Sequence, residues 1–324
     1  MKDFIFVSSR VRFARNLEGV RFPAKASEEE AESVLSAVLP ALEKRGYRVF
    51  RTAKMQENLR RVLIEQNLAS PTLCASPYGA LGVSEDESRA VMVMEEDELR
   101  LTETGKGLSV RRLYDELSKE EVALSSDLKF AFDKKLGYLT ACATNLGTGM
   151  RASVMLFLPA LTRAGAIGEL KKELASAGVL VRGILGEGTE SENSLYQISN
   201  ARSFGVTEEE ILSLVEKAAL NVRDLERAAR KAENEDHPYE NEDRFKRAEA
   251  ILRSAVLLGY EEFTALLSDV KEGIAAGVLQ NRGIDPDDLM ISMRPAHIEA
   301  MARQPLKKEE ENFFRAEYVR KILR

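Results

Sequence analysis

The sequence predicts an α+β fold: a domain of mixed strands and helices followed by a small all-helical C-terminal domain. Over roughly the first two-thirds of the 324 residues, short apolar segments alternate with amphipathic helical patterns, whereas residues 244–324 are helical in pattern almost throughout. With 44% hydrophobic and 31% charged residues, the chain has the composition of a globular protein with a substantial core. We therefore predict a first domain at 1–232, an acidic linker at 233–243 and a helical domain at 244–324.

Apolar or alternating segments predict the strands of the first domain. The first strand is expected at 4–7, and residues 8–12 continue it in extended form. The segment 90–94 is apolar throughout, as in a strand that is covered on both faces. Further strand candidates are 136–142, 153–158, 179–184 and 194–198.

Two capping boxes mark helix starts in the first domain. The box at Ser27 begins an amphipathic helix that runs to about residue 44, with a kink expected at Pro40. The box at Thr207 begins a long helix with one apolar stripe. A third helix is expected at 159–177, with Gly178 just past its end.

The rest of the chain is predicted to be a connector and four helices. The acidic stretch 233–243 contains Pro238, and we expect an exposed connector there. Asp285 is expected to cap a helix that has Pro286 at its first position and a break near Pro295. The four predicted helices are 245–258, 260–278, 286–301 and 307–324.

Charge, cysteine and histidine content argue against several functional classes. The formal net charge of −6 argues against a nucleic-acid-binding face. The two cysteines, Cys74 and Cys142, are too few for a disulfide framework and favour a reducing cytoplasm. With only His237 and His297, neither a His-rich zinc site nor a Ser-His-Asp triad is expected. No apolar run approaches the ~18 residues of a membrane span or the pattern of a signal peptide, so we expect a cytoplasmic protein without membrane contact.

Arginines are the candidates for phosphate binding, because no glycine-rich phosphate loop of the nucleotide-binding or protein-kinase type occurs. Guanidinium groups bind phosphate oxygens in a forked geometry and can stabilise the charge of a phosphoryl-transfer transition state. Arg10 and Arg12 lie at i and i+2, so both point to the same side of a strand. The other candidates are Arg100, Arg151 and Arg182. For an arginine taken singly, a surface ion pair is the commoner role.

Carboxylates and one thiol are candidates for handling a basic substrate. The turn 95–97 places three carboxylates directly after a predicted strand, and Glu187 lies between two glycines. A guanidinium keeps its proton to a pKa above ~12, so attack by its nitrogen requires a positioned base. A solvated acidic turn is an equal alternative for 95–97. Cys142 is either a thiolate beside the substrate or, more commonly for a lone cysteine, an inert buried thiol.

In this order and combination, these residues resemble the catalytic domain of the phosphagen (guanidino) kinase family over about residues 4–225. The matching segments are 9–12, 95–100, 142–154, 182–188 and 198–200. The small helical N-terminal domain of the creatine and metabolic arginine kinases is missing, and a helical C-terminal domain is added. That layout is similar to the bacterial protein-arginine kinases of the family.

The resemblance implies an ATP-dependent kinase built on a largely antiparallel sheet flanked by helices. It implies a phosphate-binding set of Arg10, Arg12, Arg100, Arg151 and Arg182, with Ser9 and Asn200 in the same site. Glu96 matches the family's base and guanidinium clamp, Glu187 the second clamp carboxylate, and Cys142 the reactive cysteine beside the substrate nitrogen. Magnesium is expected to be held through ATP and water, without protein ligands.

The resemblance also implies the acceptor and the partners. The missing N-terminal domain is the one that closes over small guanidino substrates, so arginine residues in proteins are the expected acceptors. A homodimer through the C-terminal domain is expected, as are activator or protease-adaptor proteins as partners. A small-molecule guanidino kinase, which would phosphorylate free arginine at a comparable rate, is an alternative.

The sequence departs from the family pattern at three places, and the first and third of these favour a further alternative. Glu98 replaces the usual histidine and adds an anion near the ATP site, and Ala143 replaces the proline that follows Cys142. The C-terminal pattern Arg-Asp-x-x-Arg-Ala, which recognises phosphoarginine in the family, retains only Arg315 and Ala316. The alternative is a catalytically weakened relative that acts as a regulatory or adaptor protein.

Overall fold

The computed structural model describes residues 3–183 and 192–323, and it confirms the α+β class. The strands of the described residues are β1 Phe6–Arg15, β2 Arg48–Arg51, β3 Ala80–Val83, β4 Arg89–Val93, β5 Leu99–Lys106, β6 Phe132–Asp133, β7 Gly137–Tyr138, β8 Met150–Phe157, β9 Val179–Gly183 and β10 Leu195–Asn200. Eight of them form one sheet in the order β2-β3-β4-β5-β1-β8-β10-β9, and every neighbouring pair is antiparallel. The hairpin β6–β7 stands apart from this sheet.

Helices cover the sheet and form the C-terminal part of the chain. Their bounds are α1 Glu28–Glu43, α2 Glu57–Glu65, α3 Pro71–Ala75, α4 Val110–Ser125, α5 Pro159–Arg163, α6 Ile167–Ser176, α7 Glu208–Asp236, α8 Pro238–Ser254, α9 Tyr260–Ala275, α10 Pro286–Ser292, α11 Pro295–Ala302 and α12 Lys308–Ile322. Among the described residues, no helix combines the length and the apolar character that a membrane span requires.

Both capping boxes form as predicted. The Ser27 hydroxyl accepts a hydrogen bond from the Glu30 amide, and the Glu30 carboxylate accepts one from the Ser27 amide. Thr207 and Glu210 make the same pair of bonds at the start of α7. These reciprocal bonds satisfy amide groups that would otherwise have no partner at a helix start.

Two predicted helices are each divided into two. The helix expected at 159–177 breaks into α5 and α6 around Gly165, whose φ of 68° is incompatible with continuing the helix. The helix expected at 286–301 breaks at Pro295, as predicted, and Asp285 caps α10 through the Asp287 amide. The acidic stretch 233–243 is helical on both sides of His237, because α7 runs further and α8 begins earlier than the composition indicated.

The predicted strand at 136–142 is wrong beyond its first residues. Only the two residues of β7 pair as a strand, with β6. The Tyr138 amide donates to the Gly147 carbonyl and the Leu139 amide to the Ala131 carbonyl, so the segment is fixed by loop contacts. The first strand, predicted to begin at Phe4, begins at Phe6. Residue 184, the predicted end of another strand, lies outside the described residues.

Helices bury one face of the sheet, and the opposite face carries the predicted arginines of β1. Val11 and Phe13 of β1 are fully buried in a core that also contains residues of α1, α4 and α7. Because side chains alternate along a strand, Arg10 and Arg12 point to the other face. A second core joins the C-terminal helices to Phe157 of β8, so the two parts of the chain pack directly on each other.

Candidate active site

The strand register brings the predicted arginines together on the open face of the sheet. Arg12 of β1 lies opposite Arg151 of β8 and opposite Thr102 of β5. Arg100 of β5 lies opposite Ala14, two positions along β1 from Arg12. Antiparallel partners share a face, so three central strands present their guanidinium groups to one region.

A cleft of about 240 Å³ lies at this face and contains most of the predicted site. Four of the five arginines line it, together with the predicted base and the predicted thiol. The lining residues are Arg12, Ala14, Glu96, Arg100, Cys142, Thr144, Asn145, Gly149, Arg151, Leu180, Arg182 and Ala201. Arg10 is not in the lining but lies on the same face of β1 as Arg12.

The arginines are crowded, and their pKa values show it. Burial, and then the charges of Arg100 and Arg151, lower the pKa of Arg10 to about 10. Burial and the same neighbours, with Arg10, lower the pKa of Arg12 well below its ordinary value. Burial and the charge of Arg182 lower the pKa of Arg151. Each shift means that positive charge is costly here, so the cleft favours a polyanion that restores the balance.

The three carboxylates of the turn between β4 and β5 have different surroundings. Glu95 forms an ion pair with Arg100, at 2.7 Å between Oε2 and Nη1, and accepts a hydrogen bond from the Ser70 hydroxyl. Asp97 is buried and accepts hydrogen bonds from the loop before Cys142. Glu96 alone is exposed, and it lines the cleft. The turn is therefore not a uniformly solvated acidic turn, and Glu96 is the carboxylate that is free to meet a substrate.

Cys142 lies at the edge of the cleft and is half-buried. Its Sγ lies 3.0 Å from the Thr144 hydroxyl, a contact in which either group can donate. A thiol that is accessible and hydrogen-bonded in this way differs from an inert core cysteine. Cys142 lies near Arg151, and its charge opposes the lowering of the Arg151 pKa that burial causes.

Glycines allow the loop at 142–149 to pass close to its neighbours. Gly149 has a φ of 63°, and a Cβ there would lie 2.7 Å from the Ala14 carbonyl oxygen and would overlap the Arg15 guanidinium. Gly147 has a φ of 100°, and its Cβ would lie 2.5 Å from the Ser203 carbonyl oxygen. No side chain larger than hydrogen fits either position without displacing backbone.

Besides Arg10, two predicted site residues of the described part of the chain are not in the cleft lining. The Ser9 hydroxyl donates to the Gly107 carbonyl on the other side of β1. Asn200 is buried, and its amide group bonds the backbone on both sides of Arg151, through the Ala152 amide and the Met150 carbonyl. Asn200 therefore holds the strand that carries Arg151. Glu187 lies outside the described residues.

Glu98 is not directed at the arginines. It is fully buried, and its Oε2 accepts a hydrogen bond of 2.6 Å from the Leu17 amide. Burial, with the nearby charges of Asp97 and Glu30, raises the pKa of Glu98 to about 7, although the Leu17 bond opposes the rise. It does not line the cleft, so the expected anion near ATP is instead a buried group at the end of the sheet.

The altered C-terminal pattern forms an internal ion pair. Arg315 is fully buried and donates to the carbonyl oxygens of Met293 and Leu258, at 3.0 and 2.8 Å. Its guanidinium also pairs with Glu311, which stands at the first position of the pattern. The remaining arginine of the pattern is thus neutralised within the domain.

Several lining residues were not singled out from the sequence. Thr144, Asn145 and Gly149 belong to the polar turn that the motif contains, so their proximity to Cys142 was the available signal. Leu180 and Ala201 contribute only small apolar surfaces, and nothing in their sequence context marks them. Among the described residues, no group of three or more His, Cys, Asp or Glu is arranged to hold a metal ion.

Comparison with known proteins agrees with this geometry. Residues 29–229 match the family model of the ATP:guanido phosphotransferase C-terminal catalytic domain, and residues 238–324 match that of the protein-arginine kinase McsB C-terminal domain. A protein-arginine kinase of Symbiobacterium thermophilum is 39% identical over 98% of this chain and 92% of its own length. One of Syntrophomonas wolfei is 38% identical over 98% of this chain and 91% of its own.

Solved structures show the same fold at lower identity. A lombricine kinase has a TM-score of 0.64 at 22% identity, covering 72% of this chain and 69% of its own. The duplicated taurocyamine kinase of Schistosoma mansoni, with bound transition-state analogue components, has a TM-score of 0.64 at 24% identity, covering 80% and 38%. With both domain models and whole-length relatives in agreement, the chain belongs to the ATP:guanido phosphotransferase, or phosphagen kinase, family and within it to the protein-arginine kinases.

Proposed function

We propose that this protein transfers the γ-phosphoryl group of ATP to the guanidinium of arginine residues in proteins. The observation that carries the proposal is the cleft itself. It places four crowded arginines beside one exposed carboxylate and one accessible thiol. Cations with lowered pKa values favour a polyphosphate, and a nearby carboxylate favours a guanidinium.

The arginines are proposed to bind and orient the triphosphate. Arg12, Arg100 and Arg151 lie on adjacent strands of a rigid sheet, so their positions do not depend on loop closure. In a loose phosphoryl-transfer transition state, charge spreads over the transferred group and the leaving oxygen. Fixed guanidinium groups stabilise that charge without further reorganisation.

Glu96 is proposed to prepare the acceptor. It accepts a hydrogen bond from the substrate guanidinium and takes the proton that leaves the attacking nitrogen. The nitrogen forms a bond to the γ-phosphorus as the bond between that phosphorus and the β–γ bridging oxygen breaks, giving ADP and phosphoarginine. Cys142 is proposed to contact the guanidinium, and Glu187 is proposed to hold its other side.

Magnesium is proposed to enter with the nucleotide. The described residues provide no cluster of three ligands, and the cleft is dominated by cations, which fits a metal held by phosphate oxygens and water. When bound there, magnesium neutralises part of the phosphate charge.

Acid-labile phosphate formed on casein tests the reaction. The wild-type protein is incubated with magnesium and γ-labelled ATP, and acid-labile label that mass spectrometry locates on arginine residues is scored as phosphoarginine. Glu96→Gln should reduce kcat by at least about 10²-fold, as expected for loss of a general base. A wild type that is folded but inactive, or a Glu96→Gln variant as active as wild type, contradicts the proposal.

Free arginine serves as the control acceptor. A protein-arginine kinase should phosphorylate casein with a much higher kcat/KM than free arginine, whereas comparable values would favour a small-molecule guanidino kinase. Calorimetry with ATP and magnesium adds a binding measurement. No detectable nucleotide binding would favour the regulatory or adaptor alternative, for which no specific structural observation speaks.

We further propose the domain division at 1–232, 233–243 and 244–324, a cytoplasmic location and a homodimer through the C-terminal domain. The first family model ends at residue 229 and the second begins at residue 238, which supports the division. The two free cysteines support the location. The dimer is supported by exposed apolar side chains near the contact between the Leu258 amide and the Asn312 carbonyl. They are Ile251, Val256, Leu257 and Phe313. Activator or adaptor proteins stay a prediction of the resemblance.

Light scattering measures the proposed dimer directly. Leu257→Glu places a charge in the apolar patch and should shift the mass from dimer to monomer at micromolar concentration. Val122→Glu is the matched control, because Val122 is exposed on α4 in the catalytic part. A wild type that is monomeric at all concentrations contradicts the dimer.

A further inference from the structure

Asn16 links the two loops that carry the proposed reactive groups. It lies just past the end of β1 and is 1% exposed. Its Oδ1 accepts a hydrogen bond of 2.9 Å from the Glu98 amide, in the turn that carries Glu96. Its Nδ2 donates to the Leu139 carbonyl, at 3.0 Å, in the segment that leads to Cys142.

Asp97 completes the link. The second Nδ2 hydrogen of Asn16 is donated to Asp97 Oδ1, at 2.7 Å. The same oxygen accepts a hydrogen bond of 2.7 Å from the Ala141 amide, next to Cys142. Asp97 is 3% exposed. One buried side-chain pair therefore fixes the Glu96 turn and the Cys142 segment relative to each other and to β1.

We propose that Asn16 is a positioning residue for phosphoryl transfer, acting with Asp97 to set the separation of Glu96 and Cys142. The proposal rests on the proposed function, because it concerns the same site. Asn16 does not line the cleft, and its side-chain hydrogen bonds go to Asp97, Leu139 and Glu98 instead of the arginines, so its role is through the loops.

The chemistry of the amide explains why asparagine is required. Asn16 must accept one hydrogen bond and donate two, and only a carboxamide of this length offers both on one short side chain. In Asn16→Asp, a carboxylate oxygen would face the Leu139 carbonyl and the Asp97 carboxylate, so two attractions would become repulsions. The phosphate-binding arginines stand on strands held by their own ladders and should keep their positions.

The test separates acceptor chemistry from nucleotide binding. In Asn16→Asp, we expect kcat on casein to fall by at least about 30-fold, because small misplacements of reacting groups are costly, while the Kd of ATP changes by less than about threefold. The rate of Cys142 alkylation by iodoacetamide should rise by at least about fivefold, because the segment is released. Asn16→Ser, which adds no charge, provides a second variant if Asn16→Asp does not fold.

Exchanging the two residues tests the link itself. In the double variant Asn16→Asp with Asp97→Asn, the new amide at 97 can donate to the new carboxylate at 16 and still accept from the Ala141 amide. We expect kcat to recover by at least about fivefold relative to Asn16→Asp alone, as for interacting residues in a double-mutant cycle.

Asn241→Asp is the matched control. Asn241 is also buried and makes three side-chain hydrogen bonds, to the Glu233 carbonyl, Asn234 and Arg244, away from the cleft. It should lower the melting temperature without separating kcat from ATP affinity or changing Cys142 alkylation. The proposal is overturned if Asn16→Asp leaves kcat and alkylation unchanged, or if it behaves as Asn241→Asp does. If the wild type does not phosphorylate casein at all, the proposed function fails, and the alkylation rates still decide whether Asn16 holds the Cys142 segment.

Discussion

The arginines that we propose bind phosphate are crowded in the cleft at the expense of stability. Arg12 is half-buried; after burial, the charges of Arg10, Arg100 and Arg151 lower its pKa, and Glu95 acts in the opposite sense. On an ordinary protein surface, arginines are usually paired with carboxylates. The shortage of negative charge at this point means that the guanidinium groups repel one another, and a bound polyanion would relieve this repulsion.

Arg12→Gln should therefore change activity and stability in opposite directions. Because Arg12 is proposed to bind phosphate, its loss should lower kcat/KM for ATP by at least about 10²-fold. Loss of a crowded charge should raise the melting temperature without nucleotide by about 1–3 °C. Arg112→Gln is the control, because Arg112 is exposed and pairs with Glu116 on α4, and both quantities should stay near wild type. A clear fall in the melting temperature of Arg12→Gln would contradict the repulsion.

Glu98 should make stability depend on pH near neutrality. Its pKa is raised from an ordinary value of 4.5 to about 7 by burial, so the native state binds a proton that the unfolded state has released. Stability from this group is present below pH ~4.5 and is lost as pH rises through ~7. Glu98→Gln removes the titration, so the variant should gain about 1–2 kcal/mol relative to wild type between pH ~5 and ~8. Urea unfolding at several pH values measures this, and a difference that is constant with pH contradicts it.

At the scale of elements, the sequence predicts helices by their ends and the strands by their apolar runs. The Ser27 and Thr207 boxes are local chemistry, and both form. The spacing of Arg10 and Arg12 correctly places both on one face of β1. Gly165 divides α5 from α6 through its own positive φ, so a local signal for that break was present in the sequence. Residues 138–139 are held in a loop by bonds to Gly147 and Ala131, and no apolar periodicity announces those bonds.

The site residues were likewise predictable from the sequence only in part. The residues of one strand or one motif could be assigned to the cleft from the sequence. The alternation of side chains along β1 already turns Ser9 away from the face of Arg10 and Arg12, so the strand pattern and the resemblance disagreed about Ser9. The burial of Glu98 and the link through Asn16 depend on three segments that are more than 40 residues apart, and these required the structure.

Position 149, directly before β8, should tolerate only glycine. Gly149→Ala combines an unfavourable φ with overlap at Ala14 and Arg15, and should destabilise the protein by about 2–4 kcal/mol. Gly107→Ala is the control: its φ of 67° carries the same backbone penalty, but an added Cβ there meets no atom within 4 Å. Its cost should be about 1 kcal/mol. Equal losses for the two variants in urea unfolding would mean that close approach does not matter at Gly149.

At the scale of the whole molecule, the C-terminal helices are attached to the catalytic part by specific polar contacts as well as by the shared core. Lys106 at the end of β5 pairs with Asp285 and Asp288 of the α10 region, at 2.9 and 2.5 Å. Arg163 of α5 pairs with Glu272 of α9, at 2.6 Å. Because these contacts lie at separate places, they fix the orientation of the C-terminal helices relative to the catalytic part of the chain.

Glu65 of α2 makes three polar contacts with α11. Its carboxylate accepts hydrogen bonds from the amides of Ala296 and His297, at 2.9 and 3.2 Å, and lies 2.7 Å from His297 Nδ1. It thus caps α11 from another part of the chain. Glu65→Ala should cost about 1–3 kcal/mol and increase protease cleavage between the two parts. Glu57→Ala on the exposed face of α2 should cost no more than about 0.5 kcal/mol, and equal effects would contradict the contact.

The cations of the cleft stand on paired strands, whereas Glu96 and Cys142 stand on turns at the margin of the sheet. Under the proposed function, the strands fix the arginines that bind the nucleotide and the two turns carry the groups that meet the guanidino acceptor, so the turns can be exchanged without disturbing the arginines. Grafting the 95–98 turn and the 139–149 loop from a relative with another guanidino acceptor onto this sheet is therefore a practical route to new acceptor specificity with nucleotide affinity retained.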